Sequence, residues 1–229
     1  MKPASAHALA RLLQLSSPTL PVGAYSYSQG LEAACESGTV HDAGSAGRWI
    51  SDALDFGIAR MEAPVWCRLH AAWREGDAGA VAHWNHWFIV TRESAELRAE
   101  TLQMGWSLRR LLADLEEFDP QARATLDALP EVSFPAAWSF AAAHWGIAPG
   151  EALVAYLWSW LENQVMAAVK AVPLGQTDGQ RLLARLGGAL EPAAQAALQA
   201  DDASLSNFTP GLAIACSRHE TQYSRLFRS

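Results

Sequence analysis

Apolar side chains recur at three- and four-residue intervals along most of this chain, and each run stops at a proline, a glycine or a short polar residue. That rhythm lays one face of a helix against a core. It predicts a short helix over residues 6–16, carried by Leu9, Leu12, Leu13 and Leu15, and another over 42–60 around Trp49, Ile50, Ala53, Leu54 and Ile58. Pro64 opens the next, because proline is tolerated at the first helical position, and Val65, Trp66, Leu69 and Trp73 carry it to Gly76. Asp77 can cap a long helix reaching about Leu115, whose charged middle, residues 92–100, reads as a solvated ridge of weak ion pairs. Shorter helices fit 120–128, 135–145, 180–186, 192–199 and 211–219. The helix over 150–172 is the most apolar, with Leu153, Tyr156, Leu157, Trp160, Leu161 and Val165 on nearly every side, which requires burial in a core or between subunits. No segment alternates like a strand between hairpin turns. The expectation is an all-α protein: one domain of about ten helices over 1–219, then a tail over 220–229.

Residues 20–34, Leu-Pro-Val-Gly-Ala-Tyr-Ser-Tyr-Ser-Gln-Gly-Leu-Glu-Ala-Ala, read as a loop running into a helix. Pro18 and Pro21 stop what precedes them. Ser26 and Gln29 have capping-box spacing, so the helix would start there and run to about Ser37, with Gly38 ending it. Gly30 then falls in the first turns, at a cost of roughly 0.5–1 kcal/mol against alanine. A close approach of another backbone would explain it. Tyr25 and Tyr27 crowd the helix start, either filling a core or facing a partner.

Composition narrows the function. The formal net charge is −7 and the pI about 5.5, which argues against nucleic-acid binding as the main activity. Cys35, Cys67 and Cys216 are widely spaced and odd in number, as expected of reduced thiols in a cytoplasmic protein. Lys2 and the segment Leu12-Leu13-Gln14-Leu15 do not form a signal-peptide core, and no run suggests a membrane span. The chain has no GxxxxGK[ST], no strand followed by GxGxxG and no GxSxG, so neither a nucleotide cradle nor a serine nucleophile is expected. No built-in cofactor or metal is expected either. The competing reading is a small all-α enzyme or cofactor binder with a Trp-lined cavity that uses His83, His86 and Glu93, two histidines at i, i+3 and a carboxylate two turns on.

Two features suggest contact with other proteins. Lys170 shares a narrow stripe of the apolar helix with Ser159 and Asn163, and an unpaired lysine is costly to bury. Its ammonium must reach water, a carboxylate or a partner. From residue 218 on, three arginines (Arg218, Arg225 and Arg228) outweigh one Glu220, so the last twelve residues carry +2 on an acidic chain. Tyr223, Leu226 and Phe227 would share a face if helical, and arginine with aromatics is the composition of interface anchors. The expectation is a tail that orders only on a partner; the alternative is a tail that folds back on its own domain.

Residues 20–34, the segment Val169-Lys170-Ala171-Val172-Pro173-Leu174-Gly175-Gln176 and the stretch His219-Glu220-Thr221-Gln222-Tyr223-Ser224-Arg225-Leu226-Phe227-Arg228-Ser229 together resemble the urease accessory protein F family (UreF). The three motifs stand in the family's order and span nearly the whole chain. The resemblance implies a cytoplasmic, non-enzymatic, all-α homodimer. It implies partners: the accessory protein called D (or H), the GTPase called G, and apo-urease, with nickel delivery to urease coupled to the GTPase cycle. Tyr25 and Arg225 resemble family residues that contact the D/H partner, a surface to which Tyr223, Leu226 and Phe227 would belong. Lys170 resembles the lysine of the face that receives the GTPase.

Overall fold

The structure, a computed structural model, describes residues 5–229; Lys2 lies outside them. Among the described residues there is no strand, and the chain is a single all-α domain. Its helices are α1 (Ala6–Leu15), α2 (Leu31–Glu36), α3 (Ala43–Asp52), α4 (Ala63–Glu75), α5 (Ala78–Val90), α6 (Ala95–Asp114), α7 (Pro120–Asp127), α8 (Phe134–His144), α9 (Pro149–Ala171), α10 (Gln176–Gly187), α11 (Leu190–Gln199) and α12 (Pro210–His219). None is long and apolar enough to cross a membrane.

The apolar helix α9 is the axis. Leu153, Tyr156, Leu157, Leu161 and Val165 are buried along it, and α1, α2, α3, α4, α8, α10 and α11 pack around it. Its apolar character is therefore satisfied mainly within the chain; Trp158 and Met166 are the large apolar side chains it leaves exposed. Trp66, Trp138 and Tyr156 meet ring to ring at 5.5–6.2 Å beside it and fill the centre of the core.

Half of the helix starts are capped by the side chain of a short polar residue. Asp42 forms a reciprocal capping box with Ser45, while Asp77 and Ser133 accept from the backbone N–H three residues on. Elsewhere the expected boundaries move. The helices flanking Pro64 are continuous, joined by a π-helical segment, Ala53–Glu62. Pro64 has no N–H for the Arg60 carbonyl, and that carbonyl instead accepts from the Ser206 N–H at 3.1 Å. Proline here does not start a new helix; it sits in a rod whose orphaned acceptor is served from elsewhere in the chain.

The long helix expected over 77–115 is two helices. Thr91 ends α5 with its hydroxyl turned back on the Trp87 and Phe88 carbonyls, and Ser94 caps α6 through the Leu97 N–H. The break turns Arg92 inward. Nor is the charged middle a solvated ridge: Arg92 and Glu100 are buried, and Glu96 is nearly so.

The start of α2 also differs. Ala24–Ser26 forms one 3-10 turn, and Gln29 and Gly30 both adopt left-handed backbone, with φ of 52° and 77°. Two such residues turn the chain sharply, so no helix can start at Ser26, and Gly30 becomes the N-cap of α2. A left-handed non-glycine residue costs roughly 1–2 kcal/mol. Gln29 is held there by its side-chain bonds, donating to Glu100 and accepting from Trp160. The close approach expected at Gly30 is present: a Cβ would lie 3.0 Å from Cys216 Sγ and 3.1 Å from the Cys216 backbone nitrogen on α12.

Candidate partner-docking site

The site is assembled by the turn before α2, the end of α9 and the C-terminal tail. After α12 the tail does not continue as a helix; it folds back across α2 and α6. Glu32, on the first turn of α2, holds it. One carboxylate oxygen accepts from the Leu226 N–H at 2.7 Å and the other from the Phe227 N–H at 3.0 Å. Further on, the Arg228 N–H donates to the Ser26 carbonyl at 2.7 Å and the Ser28 N–H to the Ser229 carbonyl at 2.8 Å. Phe227 is 6% exposed, and burying it contributes roughly 1.5–3 kcal/mol. The tail is thus ordered on its own domain, not a segment awaiting a partner. The common face expected for Tyr223, Leu226 and Phe227 does not form, because the extended chain sends Phe227 inward and leaves Tyr223 and Leu226 in solvent.

Carboxylates do the fastening. His219 is fully buried at the end of α12, with Nδ1 2.6 Å from Glu96 and Nε2 3.2 Å from Glu32. Both ring nitrogens face carboxylate oxygens. Arg225 pairs with the other Glu96 oxygen at 2.7 Å. Glu100, deeper and fully buried, accepts from Gln29 at 2.8 Å and from the Ser229 hydroxyl at 2.8 Å. Burial pushes its carboxyl up to about 7 in spite of these bonds. Beneath it, Glu62 accepts from the Tyr156 hydroxyl and pairs with Arg92 at 3.2 Å. Burial pulls the Arg92 guanidinium down, but Glu62, Glu93 and Glu100 more than offset this and hold it charged.

Lys170 joins the sequence motifs in space. Its ammonium lies 5.9 Å from the Tyr25 ring centroid and 5.8 Å from that of Phe227, within cation–π range of both. Tyr25 is 66% exposed. Beside this cluster opens a cavity of about 210 Å3, whose lining includes Tyr25, Lys170, and the Ser159 and Asn163 that share the lysine's stripe.

The UreF family model matches residues 40–187. The chain is 62% identical to the urease accessory protein UreF of Azoarcus sp. (strain BH72) over 223 residues, which cover 96% of this chain and 95% of the relative. It is 60% identical to that of Dechloromonas aromatica (strain RCB), covering 96% and 97%, and 53% identical to that of Cupriavidus taiwanensis, covering 97% and 98%. The chain belongs to the UreF family. It is a urease accessory protein, not an enzyme.

In this UreF-family chain the two histidines of the competing metal reading lie on the outer side of the fold, whereas Glu93 is half-buried with its Oε2 shielded from solvent. His83 and His86 are exposed on α5, Glu93 sits in the break before α6, and no group of three His, Cys, Asp or Glu among the described residues could hold a metal. His83 packs edge-on against Trp84 at 5.0 Å. Burial pushes the thiols of Cys35, Cys67 and Cys216 up to about 11, 12 and 12, so none is poised as a nucleophile. Sequence reasoning missed the carboxylates Glu32, Glu96 and Glu100 and the inward Arg92. A signal for Glu100 was present: it lies three residues after Leu97 and four before Met104, on the buried stripe of α6.

Proposed function

We propose that this family member is a homodimeric, cytoplasmic adaptor of urease maturation whose C-terminal tail, together with Tyr25, docks the D/H accessory protein. Through that complex it recruits the GTPase G and apo-urease, so that nickel delivery is coupled to a GTP cycle run by the partner. The observation that carries this reading is the convergence of three sequence motifs on one patch: Tyr25, Lys170 and Phe227 in contact, with Tyr223 and Leu226 exposed beside them. Exposed aromatic and aliphatic side chains next to unpaired cations suit a partner that is apolar at its centre and acidic at its edge. Lys170 lies inside this patch, and we assign it to the D/H-facing surface, where it steadies both rings; the GTPase would then bind elsewhere on the assembly.

The test is removal of residues 220–229, followed by a binding measurement with purified D/H protein. Binding is expected to disappear while circular dichroism retains the helices. Arg225→Ala should weaken binding more than Arg228→Ala, because Arg225 fixes the tail to Glu96. A truncated, folded protein that binds D/H at wild-type strength would overturn the reading.

A further inference from the structure

The cavity beside Lys170 has a use that the tail does not supply. Its walls are apolar, formed by Leu20, Met104, Phe134 and Met166 among others, and its floor is the buried cluster of Glu62, Arg92, Glu100 and Tyr156. The floor is polar and largely committed, although the Arg92 Nε is buried without a partner. Both Glu62 oxygens are occupied, by Tyr156 and Arg92, and both Glu100 oxygens, by Gln29 and Ser229. Gln29 accepts from Trp160 at 2.8 Å. The wall hydroxyl of Ser159 donates to the Tyr156 carbonyl at 2.7 Å, and the Asn163 amide to the Tyr27 carbonyl at 3.1 Å. A polar ligand would find most of the floor's groups already bonded, whereas the walls offer continuous apolar surface to an apolar group.

Size narrows the occupant further. About 210 Å3 is below the roughly 300–1,000 Å3 of drug-sized ligand sites but above the roughly 150 Å3 that admits a benzene ring. That is room for one large side chain. The mouth is bordered by Tyr25, Met166 and Lys170, all exposed, and is continuous with the tail through the Lys170–Phe227 contact. Lys170 at this rim has no ion-pair partner among the described residues, its ammonium facing the Tyr25 and Phe227 rings, while burial raises the carboxyl of Glu162 beside it.

We infer that this cavity is an anchor pocket: it receives one large apolar side chain of the docking partner, presented next to an acidic residue that meets Lys170. Pockets of this kind, fully desolvated at the centre of an interface, concentrate binding energy. The inference rests on the docking role proposed above.

The test fills the pocket from its own wall. Ser159→Leu and Ala24→Leu are compared with Ser159→Ala, which loses the same hydroxyl without filling the space. D/H binding should fall at least tenfold for the two filled variants and stay within about twofold for Ser159→Ala, with thermal midpoints unchanged. In parallel, Ser159→Cys provides a thiol inside the pocket whose reaction with a small maleimide, above the wild-type background, should slow at least tenfold when D/H is bound. Filled variants that fold and bind normally would overturn the inference. If the filled variants lose stability, the thiol decides, and an unprotected thiol in the complex would overturn it too. Loss of self-association with D/H binding intact would assign the pocket to a second copy and also refute the proposal. These outcomes are separate from the docking role itself, which fails only if the protein lacking 220–229 still binds.

Discussion

Glu100 shows how much one residue of the tail latch carries. A buried carboxylic acid whose pKa is raised from an ordinary 4.5 to about 7 binds its proton more tightly in the folded protein than in the unfolded chain. Its contribution is therefore complete below about pH 4.5 and is lost as pH rises toward 7, since the slope of stability with pH is negative wherever the native state holds more protons. Glu100→Gln keeps an acceptor for Gln29 and gains a donor for the Ser229 hydroxyl without the titrating proton. The variant is expected to match the parent in thermal midpoint near about pH 5 and to exceed it increasingly toward about pH 8. Scanning fluorimetry across that range checks this; parallel curves would refute it. The sequence made Glu100 visible as a charge on an apolar stripe. It could not show what satisfies that charge, because Gln29 and Ser229 lie 71 and 129 positions away. The same holds for Arg92, whose partner Glu62 sits across a helix break.

At the level of elements, the sequence was most legible where a local rule decides. Asp42, Asp77 and Ser133 cap helices with their own side chains, and proline stands in the first turn of α7, α8, α9 and α12. It was least legible where a distant segment overrides the rule, as at Pro64, where Ser206 keeps the rod continuous. Two buried glycines separate these cases by experiment. At Gly105 of α6 a Cβ would stand 2.1 Å from the Val132 carbonyl oxygen, held in place where the Asn85 side chain clasps Glu131 and Ser133 from either side. Backbone cannot step aside, so Gly105→Ala should cost about 1–3 kcal/mol or more, at roughly 2–4 °C per kcal/mol for a chain of this size. At Gly47 of α3 the nearest atom, at 1.8 Å, is the far end of the Arg185 guanidinium. That group can swing away, so Gly47→Ala should change the midpoint far less. Calorimetry on the two variants measures the difference, and equal losses would contradict this account.

For the whole molecule, α9 closes most of its apolar surface inside one chain, so the proposed homodimer would draw mainly on other surfaces. Phe208 at 82% exposure, Ile214 at 53% and Phe56 at 46% are among the apolar groups that remain. Light scattering at about tens of micromolar, a range set by ordinary affinity arithmetic, is expected to give the mass of a dimer; a monomer would count against the adaptor reading. The tail-deleted protein should keep that mass. The docking patch, by contrast, is built from segments 201 positions apart, Ser28 beside Ser229. Synthesis at about 5–20 residues per second leaves Tyr25 outside the ribosome for tens of seconds before Phe227 exists. Until then Glu32 has no backbone to hold and Lys170 only one ring. Under the proposed docking role, a partner that recognises the joined patch would ignore nascent and truncated chains, and its binding would itself check that synthesis is complete.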